Sequence, residues 1–229
     1  MRTLGQDIYA ALRRDIILGR LAARRKLKMA DLLDRYDAST STLRECLNRL
    51  ASEGFVRAEG QRGFSVAPMS PEGLREIADL RVLLEGHALR QSIARGDTDW
   101  EAGAVSAHHK LHRMEERMKA GDASAREAWK RADSGFHKAL VAACGSPELM
   151  ALHMTVFDKY LRYQMLFLTY RGETAAAEHR ALLEAALERD TARAETILRD
   201  HIEGGVVHCL TSFRAAAAGQ DVQNGLENR

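Results

Sequence analysis

The sequence predicts a mainly α chain built from two unlike parts: three helices with a β-hairpin, followed by an all-helical antiparallel bundle. Three observations carry this expectation. Only three prolines and 6% aromatic residues occur in 229 residues that are 45% hydrophobic and 29% charged, a helix-rich globular composition. Two of those prolines sit in Pro68-Met69-Ser70-Pro71, through which neither a helix nor a central strand continues. Charge divides at the same place: residues 1–70 hold 13 Lys+Arg against 8 Asp+Glu (net +5), and the remainder 21 against 24 (net −3). The formal +2 of the whole chain is therefore a sum of opposites. All nine histidines lie between His87 and His208. Such asymmetry points to a nucleic-acid contact in the basic part. The predicted division is 1–70, 71–215 and a small polar tail, 216–229, that frays.

In the basic part, Ile8, Leu12, Ile16 and Ile17 recur at helical spacing, with Gly19 as a stop. A short second helix fits Met29–Tyr36, with Leu32 and Leu33 inward. Asp37-Ala38-Ser39 makes a tight connection, and Ser39 or Thr40 can cap a third helix over Thr42–Glu53. Its apolar face is Leu43, Cys46, Leu47 and Leu50, and Gly54 ends it. Two alternating runs, residues 55–59 and 64–67, flank Gly60-Gln61-Arg62-Gly63 and predict a hairpin. Three helices and a hairpin in this order make a winged helix-turn-helix. Beyond Glu72 the pattern predicts helices at 72–95, 98–120, 123–144, 147–169, 174–188 and 191–215.

A helix entering the major groove needs short polar groups at its start and long donors along one face. Ser39, Thr40, Ser41 and Thr42 supply hydroxyls, and Arg44 and Arg49 supply the donors. Lys28, with Lys26, precedes the second helix, where a phosphate contact is natural. Gln61, Arg62 and Gly63 put an arginine at the wing tip, suited to a narrow minor groove. Taken singly, these hydroxyls could merely cap a helix and these cations merely solvate a surface; taken together they point to double-stranded DNA. Cys46, Cys144 and Cys209 form neither a metal knuckle nor a disulfide framework, and no run approaches the roughly 20 apolar residues of a membrane span. Residues 1–7 lack the apolar core of a signal peptide, so a cytoplasmic, non-membrane protein is expected.

Leu27-Lys28-Met29-Ala30-Asp31-Leu32, Ser39-x-x-x-Leu43-Arg44-Glu45-x-Leu47-x-Arg49-Leu50, Glu53-Gly54-Phe55-Val56 and Gln61-Arg62-Gly63-Phe64-x-Val66 resemble the GntR family of bacterial repressors. The resemblance implies a winged helix that binds an operator as a homodimer. Ala30 stands where family members often carry Arg, and Ser39-Thr40-Ser41 where they often carry Ser-Arg-Thr. Two familiar positive contacts are thus missing, which predicts an altered half-site.

In the second part, spacing alone leaves alternatives open. Asp133 and His137 are an i,i+4 pair, with His179 and His201 on other helices, but His108 and His112 have the same spacing. Neighbouring Phe136, Leu140, Leu182, Leu183 and Ile202 lean toward the first set. The remaining histidines, His87, His109, His153 and His208, fit surface or core positions. Leu80-Arg81-x-x-Leu84-Glu85, Phe136-His137-x-Ala139-Leu140, Cys144-Gly145-Ser146-Pro147, Glu178-His179-Arg180-x-Leu182 and Leu198-Arg199-x-His201-Ile202 resemble the FCD effector domain of the FadR-type subfamily, across roughly residues 72–210. The family's metal positions then map onto Asp133, His137, His179 and His201. The resemblance implies a divalent ion, zinc first, with nickel or manganese as alternatives, and a small organic acid beside it. Similarity to the branch with glutarate-responsive repressors suggests a short dicarboxylate. One carboxylate and three imidazoles leave a dication with net positive charge and open positions, and a guanidinium could hold the acid's other end. Arg81 is the first candidate, with an ion pair to Glu85 as its competing role; Arg162 and Tyr163 follow, Tyr163 with plain core as its alternative. Such a centre could also activate water, but no clear second general base accompanies it. The expectation is a regulator, not an enzyme; a metalloenzyme and a metal-independent effector domain are its rivals.

Overall fold

The computed structural model describes residues 3–167 and 170–227, leaving out the side chains of Gln61 and of residues 215–227. Among the described residues it holds nine α-helices and one three-stranded antiparallel sheet. Helix α1, Leu4–Ile17, starts in a capping box: Thr3 Oγ1 accepts from the Gln6 amide and Gln6 Oε1 from the Thr3 amide. Helix α2, Met29–Tyr36, turns through Asp37 in the left-handed region (φ 46°) into α3, Thr40–Ser52. Ser39 is the N-cap of α3, its Oγ accepting from the Thr42 amide. The helix thus begins two residues earlier than the apolar pattern indicates.

The sheet corrects the expected two-stranded hairpin. Strands β2, Val56–Ala58, and β3, Phe64–Val66, pair as foreseen, but β1, Lys26–Leu27, adds to the other edge of β3, giving the order β1-β3-β2. Two residues are too few to show an alternating pattern. The wing turns at Gly63, whose φ of 91° disfavours any side chain.

The bundle comprises α4 (Pro71–Arg95), α5 (Thr98–Lys119), α6 (Arg126–Leu140), α7 (Pro147–Phe167), α8 (Glu173–Leu187) and α9 (Thr191–Glu227). Polar caps set most of the starts: Ser70, Asp97, Ser146 and Asp190 side chains accept from the amides of Gly73, Trp100, Leu149 and Arg193. The expected helix 123–144 is a 3-10 turn, Ala123–Ala125, followed by α6. Helix α9 continues to Glu227, and the side chains of the expected tail 216–229 lie outside the described residues. No described helix is long and apolar enough to cross a membrane. Helix α4 packs on α7 and α9, and α5 on α6 and α8, around a core that includes Leu89, Leu111, Phe136, Tyr160 and Ile202.

The winged helix has its own core, with Leu12, Ile16, Leu43, Leu47, Leu50 and Phe55, but two bundle residues, Leu161 and Met165 of α7, pack into it. Polar contacts follow the same seam. Arg13 on α1 lies 3.4 Å from Asp158 on α7, and Arg20 lies 3.3 Å from Glu127 on α6. A cleft of about 400 Å³ runs between α1 and helices α6 and α7, with Lys130 on its wall. Arg20 also reaches Asp15, which accepts from Arg35 and from the Tyr36 hydroxyl (2.7 and 2.8 Å) and so ties α1 to α2.

Burial alone would raise the Asp15 carboxyl, but Tyr36, Arg20 and Arg35 outweigh it and hold it below its ordinary value. A carboxyl lowered on folding stabilises the fold above its unfolded pKa, about 4, and loses that contribution as pH falls through the folded value. Asp15→Asn is therefore expected to depress the melting temperature at neutral pH, with the gap to wild type narrowing as pH falls below the ordinary carboxylate range. A gap constant from neutral to acid pH would contradict this role.

Candidate metal centre and nucleic-acid interface

Two features of the bundle bring its chemistry together. Helix α6 presents Asp133 and His137 one turn apart on its buried face, and α8 and α9 each contribute a buried histidine, His179 and His201. One ligand atom from each of the four lies within 4.8 Å of the others. His179 Nε2 is 3.3 Å and His137 Nε2 3.9 Å from Asp133 Oδ1. Neither nitrogen makes an aligned hydrogen bond, although both are buried. Buried polar atoms rarely go unsatisfied in native proteins, so two orphans beside one carboxylate fit a group that could hold a cation.

The opposite side of each ring is occupied. His137 Nδ1 meets Glu85 Oε1 at 2.5 Å, His179 Nδ1 meets Glu115 Oε1 at 2.7 Å, and His201 Nδ1 meets Glu178 Oε2 at 2.7 Å. Despite burial, Glu85 is held well below the usual carboxylate range by Arg81 and His137, so it accepts from the imidazole N–H. A ring that donates from Nδ1 leaves its Nε2 lone pair free for a metal. Burial lowers His137 and, with the neighbouring rings, lowers His201 well below the ordinary value. Burial also pulls His179 down, but its contacts with the Asp133 and Glu115 carboxylates outweigh it and leave it raised. Burial would raise Asp133; Lys130 and the His179 contact hold it well below its usual range.

A small cavity of about 10 Å³ adjoins the cluster, lined by Trp129, Lys130, Gln164, Arg171 and Ala175 with Asp133, His179 and His201. It has room for about one water. Arg81 is not in this lining. It is 1% exposed, donates from Nε to Glu85 Oε2 at 2.7 Å and lies against the rings of Phe157 and Tyr160. The structure thus gives Arg81 the ion pair, where it neutralises the carboxylate that aligns His137. Arg162 and Tyr163 are placed elsewhere as well: Arg162 donates to the Ala67 carbonyl at 2.7 Å, and Tyr163 accepts from the Ser70 amide at 3.4 Å. Both hold the linker between wing and bundle, where Gly73 leaves space that a Cβ would take from the Tyr163 hydroxyl. A buried arginine on a helix has no sequence mark for the neighbour it faces, so the sequence alone leaves the partner of Arg162 open.

Residues that the sequence reading passed over complete the site. Glu115 and Glu178 align two of the rings. His153, placed in the core, donates from Nε2 to Glu85 Oε2 at 3.1 Å. Lys130 stands one turn before Asp133, an i,i+3 signal that was available, and Arg171 pairs with Glu178.

On the winged helix, Thr40, Ser41 and Arg44 are exposed on α3 and Thr42 is half-buried. The Ser39 hydroxyl sits 2.9 Å from both the Ser41 and Thr42 hydroxyls, so the start of α3 is a knot of short polar groups. Arg44 projects from the next turn, followed by exposed Asn48, a residue the sequence reading did not select. Arg49 is also exposed, with its guanidinium 3.9 Å from the Tyr9 ring centroid and 3.3 Å from Glu53. Lys28 is exposed at the start of α2, and Arg62 is exposed beside Gly63 in the wing; the side chain of Gln61 lies outside the description.

Comparison with known proteins agrees with this division of labour. Residues 4–66 match the bacterial regulatory proteins of the gntR family, and residues 76–204 match the FCD domain. The HTH-type transcriptional regulator BphR of Paraburkholderia xenovorans (strain LB400) is 38% identical over 208 residues, 90% of this chain and 85% of that protein. The HTH-type transcriptional repressor GlaR of Escherichia coli (strain K12) is 36% identical over 204 residues, covering 86% and 91%. Among solved structures, E. coli McbR/YncC shares the fold with a TM-score of 0.77 at 18% identity, covering 93% of this chain and 100% of that one. The chain belongs to the GntR family of regulatory proteins, with an FCD domain as its second part, and is a DNA-binding transcriptional regulator rather than an enzyme.

Proposed function

We propose that the protein is a cytoplasmic, homodimeric repressor. Its operator affinity is controlled by a small organic acid bound at a divalent-metal centre of Asp133, His137, His179 and His201. The observation that carries this is the set of three separate glutamates, Glu85, Glu115 and Glu178, each holding one imidazole by Nδ1. A satisfied core histidine needs no such orientation, whereas metal-bound histidines nearly always have it. The N₃O donor set suits zinc, with nickel or manganese as alternatives. When bound, the ion would supply two positive charges and open positions to a carboxylate.

The rest is the work of the chain. Trp129, Lys130, Gln164 and Arg171 enclose the place beside the donors, and two cations there favour an acid, a short dicarboxylate first. The domains divide near residues 70 and 71, between the two matched families. Thr40, Ser41 and Arg44, with Ser39 and Thr42 shaping the helix start, read the major groove, while Lys28 and the wing residues Gln61, Arg62 and Gly63 contact the backbone or minor groove. Exposed Leu83 on α4 and Val207 on α9, 66% and 65% accessible, fit burial against a second copy. A ligand that shifts the two winged helices needs only differential contact energy, about 1–3 kcal/mol or 5–150-fold in operator affinity.

The test measures binding to an operator selected from a random DNA pool, with zinc-loaded and chelator-stripped protein, across a panel of short mono- and dicarboxylates. An acid that weakens operator binding only of the loaded protein is the expected result. An equal response after stripping would support a metal-independent effector domain instead.

A further inference from the structure

Lys130 occupies an unusual electrostatic position. It is 4% exposed, on the turn of α6 before Asp133, with its Nζ 3.3 Å from Asp133 Oδ2, 3.2 Å from Gln164 Oε1 and 4.1 Å from the Trp129 ring centroid. The Asp133 carboxylate is therefore divided: Oδ2 meets the ammonium, while Oδ1 faces His179 and His137. Arg171, the other cation lining the cavity, already has Glu178 at 2.8 Å. Among the described residues of that lining, Asp133 is the carboxylate available to Lys130.

A dication beside Oδ1 would share this single negative charge with the ammonium, in a buried setting where like charges are poorly screened. We propose that Lys130 sets the order of binding: its ammonium is the counter-ion of Asp133 in the metal-free chain. Once a divalent ion claims that carboxylate, the same ammonium becomes the charge that recruits an organic carboxylate. The inference rests on the metal reading above and adds a role of opposite sign at its two steps, since Lys130 opposes the metal and favours the acid. Space for the exchange is at hand. The cavity itself holds about 10 Å³, but Lys130 also lines the cleft of about 400 Å³ between α1 and helices α6 and α7. A flexible four-carbon stem can swing toward that cleft as an acid enters.

Lys130→Met keeps the stem and removes the charge; Lys130→Gln removes the charge and keeps polarity. The experiment measures cobalt(II) affinity by competition with a coloured chelator, then titrates the cobalt-loaded protein with acetate and follows the visible cobalt spectrum. Both variants should bind cobalt about tenfold more tightly and acetate about tenfold or more weakly than wild type. A residue needed only for packing would weaken both steps or neither. Cobalt affinity unchanged or lowered in both variants, or an undiminished acetate response, would overturn the proposal. Failure of the wild-type chain to take up cobalt would overturn the metal reading and this inference with it, whereas normal uptake with the wrong signs would remove this inference alone.

Discussion

Arg44→Ala is expected to abolish discrimination between operator and random DNA while leaving the fold unchanged. Arg44 is exposed on the second turn of α3 and, unlike Arg49, has no ion pair or ring contact among the described residues. Its removal therefore costs little stability. A good bidentate arginine–guanine pair is worth about 1–3 kcal/mol, and the proposed dimer would make the contact in both half-sites, so the expected loss is about 2–6 kcal/mol, roughly thirtyfold to twenty-thousandfold in operator affinity. Non-specific binding through phosphate contacts should persist. Fluorescence anisotropy with the selected operator and a scrambled duplex, alongside a thermal melt, reads both quantities. Operator affinity retained in the variant would mean that α3 does not present Arg44 to base edges.

The second large effect is at the proposed metal centre. His179→Ala removes one of the four proposed donors and leaves buried Glu115 without the imidazole it holds at 2.7 Å. Loss of an orienting partner alone usually costs 10–100-fold in metal affinity, so loss of the ligand itself should exceed about a hundredfold. Stranding a buried carboxylate can also cost about 3–5 kcal/mol of stability. His179→Ala combined with Glu115→Gln avoids that burden and should fold better than the single variant while still lacking metal. Metal analysis after dialysis, with circular dichroism as a control for folding, distinguishes the two effects. Stoichiometric zinc in the folded double variant would exclude His179 as a ligand.

Local signals in the sequence mark several element starts. Ser39 announces the start of α3, and Pro71 the start of α4. Asp133 and His137 share a turn, but joining them to His179 and His201 took the family resemblance, because partners on α8 and α9 cannot be deduced from spacing. The aligning glutamates come from α4, α5 and α8, each beside a different ring, and nothing in a single helix marks their convergence. Glu178 immediately precedes one candidate ligand and Lys130 lies three residues from another, so those two leave a faint trace. Arg81 beside Glu85 was legible in both of its roles, and the aromatic walls of Phe157 and Tyr160 favour the ion pair.

The packing of Leu161 and Met165 against the core of the winged helix has a consequence for modularity. Cutting the chain at the Pro68–Pro71 linker would separate two covalent units, but it would also take two apolar side chains out of the DNA reader. The head is therefore not thermodynamically independent of its sensor, and the intact chain is expected to melt in one cooperative transition. A chimera that grafts this winged helix onto a foreign bundle would inherit its groove-facing residues but not the floor beneath them. In evolutionary terms the two halves can be exchanged only together with the face of α7 on which they meet.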